Sequence, residues 1–134
     1  MAWSDKYLGI PWLWGGSNFK GCDCLGITKL ILEQETGYKI HETSPCTINS
    51  KFKLIEQAIK KGNVIKLEKD LKEFDVVFFI IDGEVRHMGI MIDKFGRFIH
   101  QLEDRVSRVS KLSESYWQKR FFVGIRDNDI TRKD

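Results

Sequence analysis

Two thiols, Cys22 and Cys24, sit one residue apart in "GCDCLG" (residues 21 to 26), directly ahead of a stretch with helical periodicity. A thiol in that setting can be a nucleophile, a metal ligand or a small buried hydrophobe. Asp23 reads as the N-cap of the following helix, which puts Cys24 in its first turn. Unpaired backbone N–H groups and the helix dipole stabilise negative charge there, so Cys24 is the candidate nucleophile. Cys22 and Cys46 read as inert or buried thiols.

A thiolate nucleophile needs a base, and the chain has three histidines. His41 lies in a polar loop from Gly37 to Asn49 that also holds Pro45 and Cys46, and it reads as solvated. In "EVRHMGIMI", alternation puts Val85, His87, Gly89 and Met91 on one face; in "RFIHQL", Phe98, His100 and Leu102 share a face. A turn symmetric about Lys94 and Phe95 sets Ile92 opposite Arg97 and Gly89 opposite His100. His87 is then the diagonal neighbour of His100, with Cα atoms about 7 to 8 Å apart, and a one-residue slip would send the rings to opposite faces. The hairpin therefore offers either a base with an orienting group or two half-buried sheet histidines. Cys22, Cys24, His87 and His100 could also be four zinc ligands, but Cys-x-Cys is tighter than the C-x2-4-C of structural zinc sites. The spacing argues against a metal, and no cofactor is expected.

The elements that must position these groups follow from pattern. Leu25, Ile27, Thr28, Leu30, Ile31 and Leu32 form a broad helical stripe that Gly37 stops. A second helix is expected from a Ser50 cap to Gly62, with Phe52, Ile55 and Ile59 at helical spacing and a structural role. From Phe74 the pattern turns to β: "FDVVFFII", a turn at Asp82 and Gly83, "EVRHMGIMI", a turn, and "RFIHQLE", with "FFVGI" at 121 to 125 as a further strand. An antiparallel sheet with a helix packed on it, an α+β fold, is the expectation. With 134 residues, 42% of them apolar, one domain over 1–134 is expected, its core at about 7–125 and a polar tail at 126–134. A net charge of +3 is far from the dense positive surface of nucleic-acid binders. The apolar run "VVFFII" is far short of the roughly 20 residues that span a bilayer, so no membrane partner is expected. "MAWSDKYLGIP" lacks the features of a secretory signal, and the expectation is synthesis in the cytoplasm with reduced thiols and no disulfide scaffold.

Taken in order, "YLGIPWLWGG", "GCDCLG" opening a helix, "FDVVFF", "RHMGIMI" and "FIHQ" resemble the NlpC family of papain-like cysteine peptidases, bacterial cell-wall endopeptidases also found on phage tail tips. The resemblance covers about residues 7 to 125. It implies a papain-like α+β core, with Cys24 as nucleophile, His87 as general base and acid, and His100 as the group that orients His87. It implies a substrate side with Trp12 and Asp23, and a structural Asp75 at the entry of its strand; the lean loop at Gly15, Gly16 and Gly21 reads by itself either as turns alone or as backbone that a substrate chain can approach beside Cys24. Trp12 stands where the family usually has Tyr, and Leu25 where it often has Ser. The implied substrate is the peptidoglycan stem peptide, most often at the bond between D-glutamate and a diamino acid. The implied setting is a virion or phage-like particle tail, with tail proteins as partners. A catalytically silent wall-binding or tail-assembly module, or an amidase with a cytosolic substrate, are the rival readings.

Overall fold

The computed structural model describes residues 2–40, 46–127 and 130. A 3-10 turn, Trp3–Tyr7, leads to a small hairpin of β1 (Ser17–Asn18) and β2 (Gly21–Cys22). Helix α1 (Cys24–Thr36) follows, capped by Asp23 at one end and by Gly37 at φ 76° at the other, as the sequence predicts. Helix α2 (Ile48–Lys61) begins earlier than expected. Its cap is Thr47, and Ser50 is the reciprocal partner in a capping box.

A six-stranded antiparallel sheet then forms from β3 (Val64–Ile65), β4 (Val76–Ile81), β5 (Glu84–Met91), β6 (Arg97–His100), β7 (Arg108–Lys111) and β8 (Phe121–Ile125), in the order β3-β8-β4-β5-β6-β7. A single helical turn, α3 (Ser115–Gln118), separates β7 from β8. The mixture of helix and antiparallel sheet is the expected α+β architecture. β3 and β7, each short, were not expected from pattern, and His41 and Pro45 lie outside the described residues.

The sheet carries a core on each side. Ile27 and Ile31 of α1 pack with Phe78, Met88, Ile90 and Ile99 on one side; Leu71, Val77, Phe79, Met91, Phe98, Leu112 and Trp117 form the other. Val85 was expected on the His87 face but joins the α1 side. The register shift between Phe79 and Ile80, which leaves Arg86 unpaired between Val85 and His87, reverses the alternation there. The stripe expected on α2 is also corrected. Phe52 and Ile59 are 43% and 62% exposed, whereas Lys51, Ile55 and Ala58 are buried.

The N-terminal segment is tied to the turn between β6 and β7. Ser107 Oγ accepts from the Ile10 N–H and donates to the Tyr7 carbonyl, the Ser107 N–H donates to the Ile10 carbonyl, and Gln101 Nε2 donates to the same carbonyl. Asp75 is structural, as expected: its carboxylate takes a forked pair of bonds from Arg126 and one from the Lys72 N–H. Among the described residues no helix is long and apolar enough to cross a membrane.

Candidate active site

The site begins with the cap of α1. Asp23 is buried, and both its oxygens are taken by backbone N–H groups: Gly26 at 2.7 Å, Gly15 at 3.0 Å and Cys46 at 2.9 Å. Asp23, which the resemblance sets on the substrate side, joins three segments: the Trp12–Gly16 loop, the helix start and the backbone at Cys46. Close approach of loop and helix also dictates Gly26, where a Cβ would lie 1.7 Å from the Gly16 carbonyl oxygen. Trp12 is half-buried, pairing its backbone with Cys22, and Gly15 is exposed while Gly16 is buried. These residues form a wall beside the helix start.

The question of the two thiols is answered by their surroundings. Cys22 is fully buried and free, with its S–H donated to the Asn18 carbonyl. Burial first, and then the charge of Asp23, push its thiol up to about 12, so it cannot supply a thiolate near neutrality. Cys24 is the first residue of α1 and forms a disulfide with Cys46, Cα to Cα 5.9 Å. The expectation of reduced thiols, with Cys46 an inert one, is overturned. Cys46 follows a loop that sequence patterning cannot place, and Asp23 draws its backbone to the helix start.

Lys51 was not anticipated. It is 1% exposed, and its Nζ donates to the carbonyls of Cys46 and Thr47 at 3.2 and 3.0 Å, contacting the sulfurs of Cys46 at 3.3 Å and Cys24 at 4.0 Å. Burial lowers its pKa to about 8; the Asp23 charge works against that fall and the Arg86 charge with it. A signal existed in the sequence: Lys51, Ile55 and Ala58 are spaced as one helix face.

The histidines are set by the sheet register. Gly89 pairs with His100, Ile90 with Ile99 and Met91 with Phe98, which is the pairing expected from the turn, and the Ile92 N–H bonds to the Arg97 carbonyl. His87 and His100 thus share a face. His87 Nε2 and His100 Nδ1 are 2.8 Å apart, and His100 Nε2 lies 2.8 Å from Ser110 Oγ on β7. Gly89 is required between them, since a Cβ would meet the Ile99 carbonyl oxygen at 2.9 Å. Trp117 covers both rings, stacked on His87 at 5.3 Å between ring centres and edge-on to His100 at 4.9 Å.

Both imidazoles are held neutral. Burial, then the neighbouring His100 and then the Lys51 charge lower the His87 pKa well below its ordinary value. Burial, then the Arg108 charge, lowers that of His100 to about 3. With His87 Nε2 engaged by His100, its Nδ1 is the ring nitrogen left for proton transfer. A neutral His87 that accepts at Nδ1 carries hydrogen on Nε2, and the same tautomer of His100 donates to Ser110 Oγ, so the chain is self-consistent. In this disulfide form no hydrogen bond joins the Cys24 sulfur to either imidazole among the described residues; Lys51, which contacts both sulfurs, is the group whose charge also acts on His87. No cluster of three or more metal-ligating side chains occurs among the described residues.

A capped helix starting on cysteine, beside an antiparallel sheet with two hydrogen-bonded histidines, is the architecture of a papain-like thiol hydrolase domain. The NlpC/P60 family model matches residues 9–126, and the chain belongs to that family. It is 29% identical over 127 residues to the Gamma-DL-glutamyl hydrolase of Bacillus subtilis, covering 94% of this chain and 28% of that protein. It is 32% identical over 125 residues to the Murein DD-endopeptidase MepH of Escherichia coli, covering 90% of this chain and 42% of that protein. The chain therefore spans less than half the length of these relatives. Among solved structures, the NlpC/p60 domain of the peptidoglycan hydrolase SagA superposes with a TM-score of 0.65 at 24% identity, covering 91% of both chains, and so shares the fold.

Proposed function

We propose that this chain is a cysteine peptidase that hydrolyses amide bonds in peptidoglycan stem peptides, at the bond between D-glutamate and a diamino acid. Once Cys24 is reduced, its thiolate attacks the carbonyl carbon, and the N–H groups at the start of α1, that of Cys24 included, stabilise the oxyanion. His87 takes the thiol proton at Nδ1 and delivers it to the leaving amine; water, activated by the same nitrogen, then opens the thioester. His100, tethered to Ser110, holds the His87 ring and its tautomer. The observation that carries this reading is the Gly89–His100 register, which sets a base within hydrogen-bonding distance of an orienting partner, in a family match over residues 9–126. The glutamyl bond is supported by the printed activity of the Bacillus relative. The proposal extends to delivery by a phage or phage-like tail, a setting suggested by the family resemblance and checked by probing purified particles for the chain.

Digestion of muropeptides under reducing conditions, read by mass spectrometry, tests the chemistry. Cys24→Ala should abolish cleavage, and His87→Ala should slow it by roughly 10²- to 10⁴-fold. Cleavage by Cys24→Ala at the parent rate would overturn the assignment. One observation favours a second reading, a silent wall-binding module: the Cys24 sulfur is bonded to Cys46. Such a module would leave reduced Cys24 no more reactive towards iodoacetamide near pH 6 than an ordinary thiol.

A further inference from the structure

We propose that the Cys24–Cys46 bond is a reversible redox lock on the nucleophile, with Asp23 and Lys51 as the positioning residues that keep Cys46 poised to close it. The effect on activity rests on the peptidase reading above; the lock itself does not.

Three observations carry the proposal. The bond joins the sulfur at the start of α1 to a cysteine 22 residues away, while Cys22, two residues away, stays free. Cys46 is also held by contacts that do not involve the S–S bond: its N–H is bonded to Asp23 Oδ2 and its carbonyl to Lys51 Nζ. Asp23 also caps α1, so one carboxylate fixes both sulfur-bearing backbones relative to each other. Lys51 then brings a buried ammonium to within 3.3 and 4.0 Å of the two sulfurs. Thiol–disulfide exchange passes through thiolates, and a fixed positive charge stabilises the sulfur that leaves. The groups that set the Lys51 charge state are Asp23, which favours it, and Arg86, which opposes it, with His87 nearby.

Opening uses two equivalents of a low-molecular-weight thiol such as glutathione. The thiolate of the first attacks Cys46 Sγ and forms a mixed disulfide; the Cys24–Cys46 bond breaks, and its electron pair leaves on Cys24, balanced by Lys51 and the N-terminus of α1. The second thiolate attacks the small-molecule sulfur of that mixed disulfide, so the small-molecule disulfide departs and Cys46 leaves as a thiolate. Of the two protons from the small thiols, one ends on Cys46 and the other is released. Closing is the reverse, driven by a small-molecule disulfide.

The test uses the full chain purified without reductant. Alkylated in denaturant, it should take one label, at Cys22, and after glutathione treatment three, because it has three cysteines of which two are paired. Native protein should be inert to iodoacetamide at Cys24 until glutathione is added. Cys46→Ser and Cys46→Ala should be alkylated at Cys24 and cleave muropeptides with no reductant. Lys51→Met should keep the one-label pattern yet open with glutathione about tenfold more slowly, the worth of one nearby charge. Three labels without reductant, or Cys46 variants that need reductant as the parent does, would overturn the lock; an opening rate unchanged in Lys51→Met would overturn the part given to Lys51. If labelling follows the lock and no variant cleaves muropeptides, the peptidase reading fails and the lock stands.

Discussion

Acidification should unfold this protein through its paired imidazoles. His100 is fully buried, and its pKa falls from 6.5 to about 3 on folding; that of His87 moves in the same direction. A folded pKa below the unfolded one means that the folded ring binds fewer protons. Stability is then fully present above 6.5 and is lost as the pH falls towards 3. For one ring of ordinary pKa in the unfolded chain, lowering the pH from 7 to 5 costs about 2 kcal/mol. His87 adds to this. Ser110 and Arg108 lie on the His100 side, Lys51 on the His87 side and the apolar ring of Trp117 over both, so the two charges that act on the pair oppose its protonation. Urea unfolding of the disulfide form, followed by tryptophan fluorescence, measures the effect. With an m-value of roughly 1 to 2 kcal/mol per molar, the midpoint should fall by at least about 1 to 2 M between the two pH values, the share of one ring alone. Replacing both rings, as His87→Gln with His100→Gln, should remove most of that slope. A parent midpoint that does not move would show that the rings are not held neutral and would refute the argument.

Two further substitutions probe the frame. Gly26→Ala places a methyl group against the Gly16 carbonyl, a backbone group that cannot yield without moving the wall, and should cost about 3 kcal/mol or more by calorimetry. An unchanged Tm would mean that loop and helix are not in contact. Trp117→Ala removes the cover over both imidazoles and should cost about 3 to 5 kcal/mol. By letting water reach the rings it should also flatten the acid slope, and a slope as steep as the parent's would count against burial as its cause.

What the sequence made legible was what local rules control. α1 starts at Asp23 and stops at Gly37 because capping chemistry acts over a single turn. The His87–His100 contact could be foreseen because a symmetric turn fixes the register of the strands it joins. What stayed hidden depended on partners remote in sequence. Ser110 reaches His100 only because β7, a short strand with an irregular pattern, pairs with β6. Cys46 reaches Cys24 because Asp23 bonds a backbone N–H that no side-chain pattern reveals. Lys51 went unnoticed because Phe52 and Ile59 suggested the wrong stripe, and only the packed sheet shows which face of the helix is inward. Val85 was misplaced for a comparable reason, since a bulge leaves no mark in alternating hydrophobicity.

The clasp formed by Ser107 bears on the order of assembly. Its bonds to Tyr7 and Ile10 close spans of 100 and 97 residues. The hairpin that pairs the histidines closes a span of only 13. Ring closure costs more entropy as the span lengthens, and distant contacts form slowly. The strip from Tyr7 to Gly16 therefore docks late, onto a sheet whose histidines have already met. During refolding the hydrogen-bonded histidine pair should therefore form before the wall beside the start of α1 is in place.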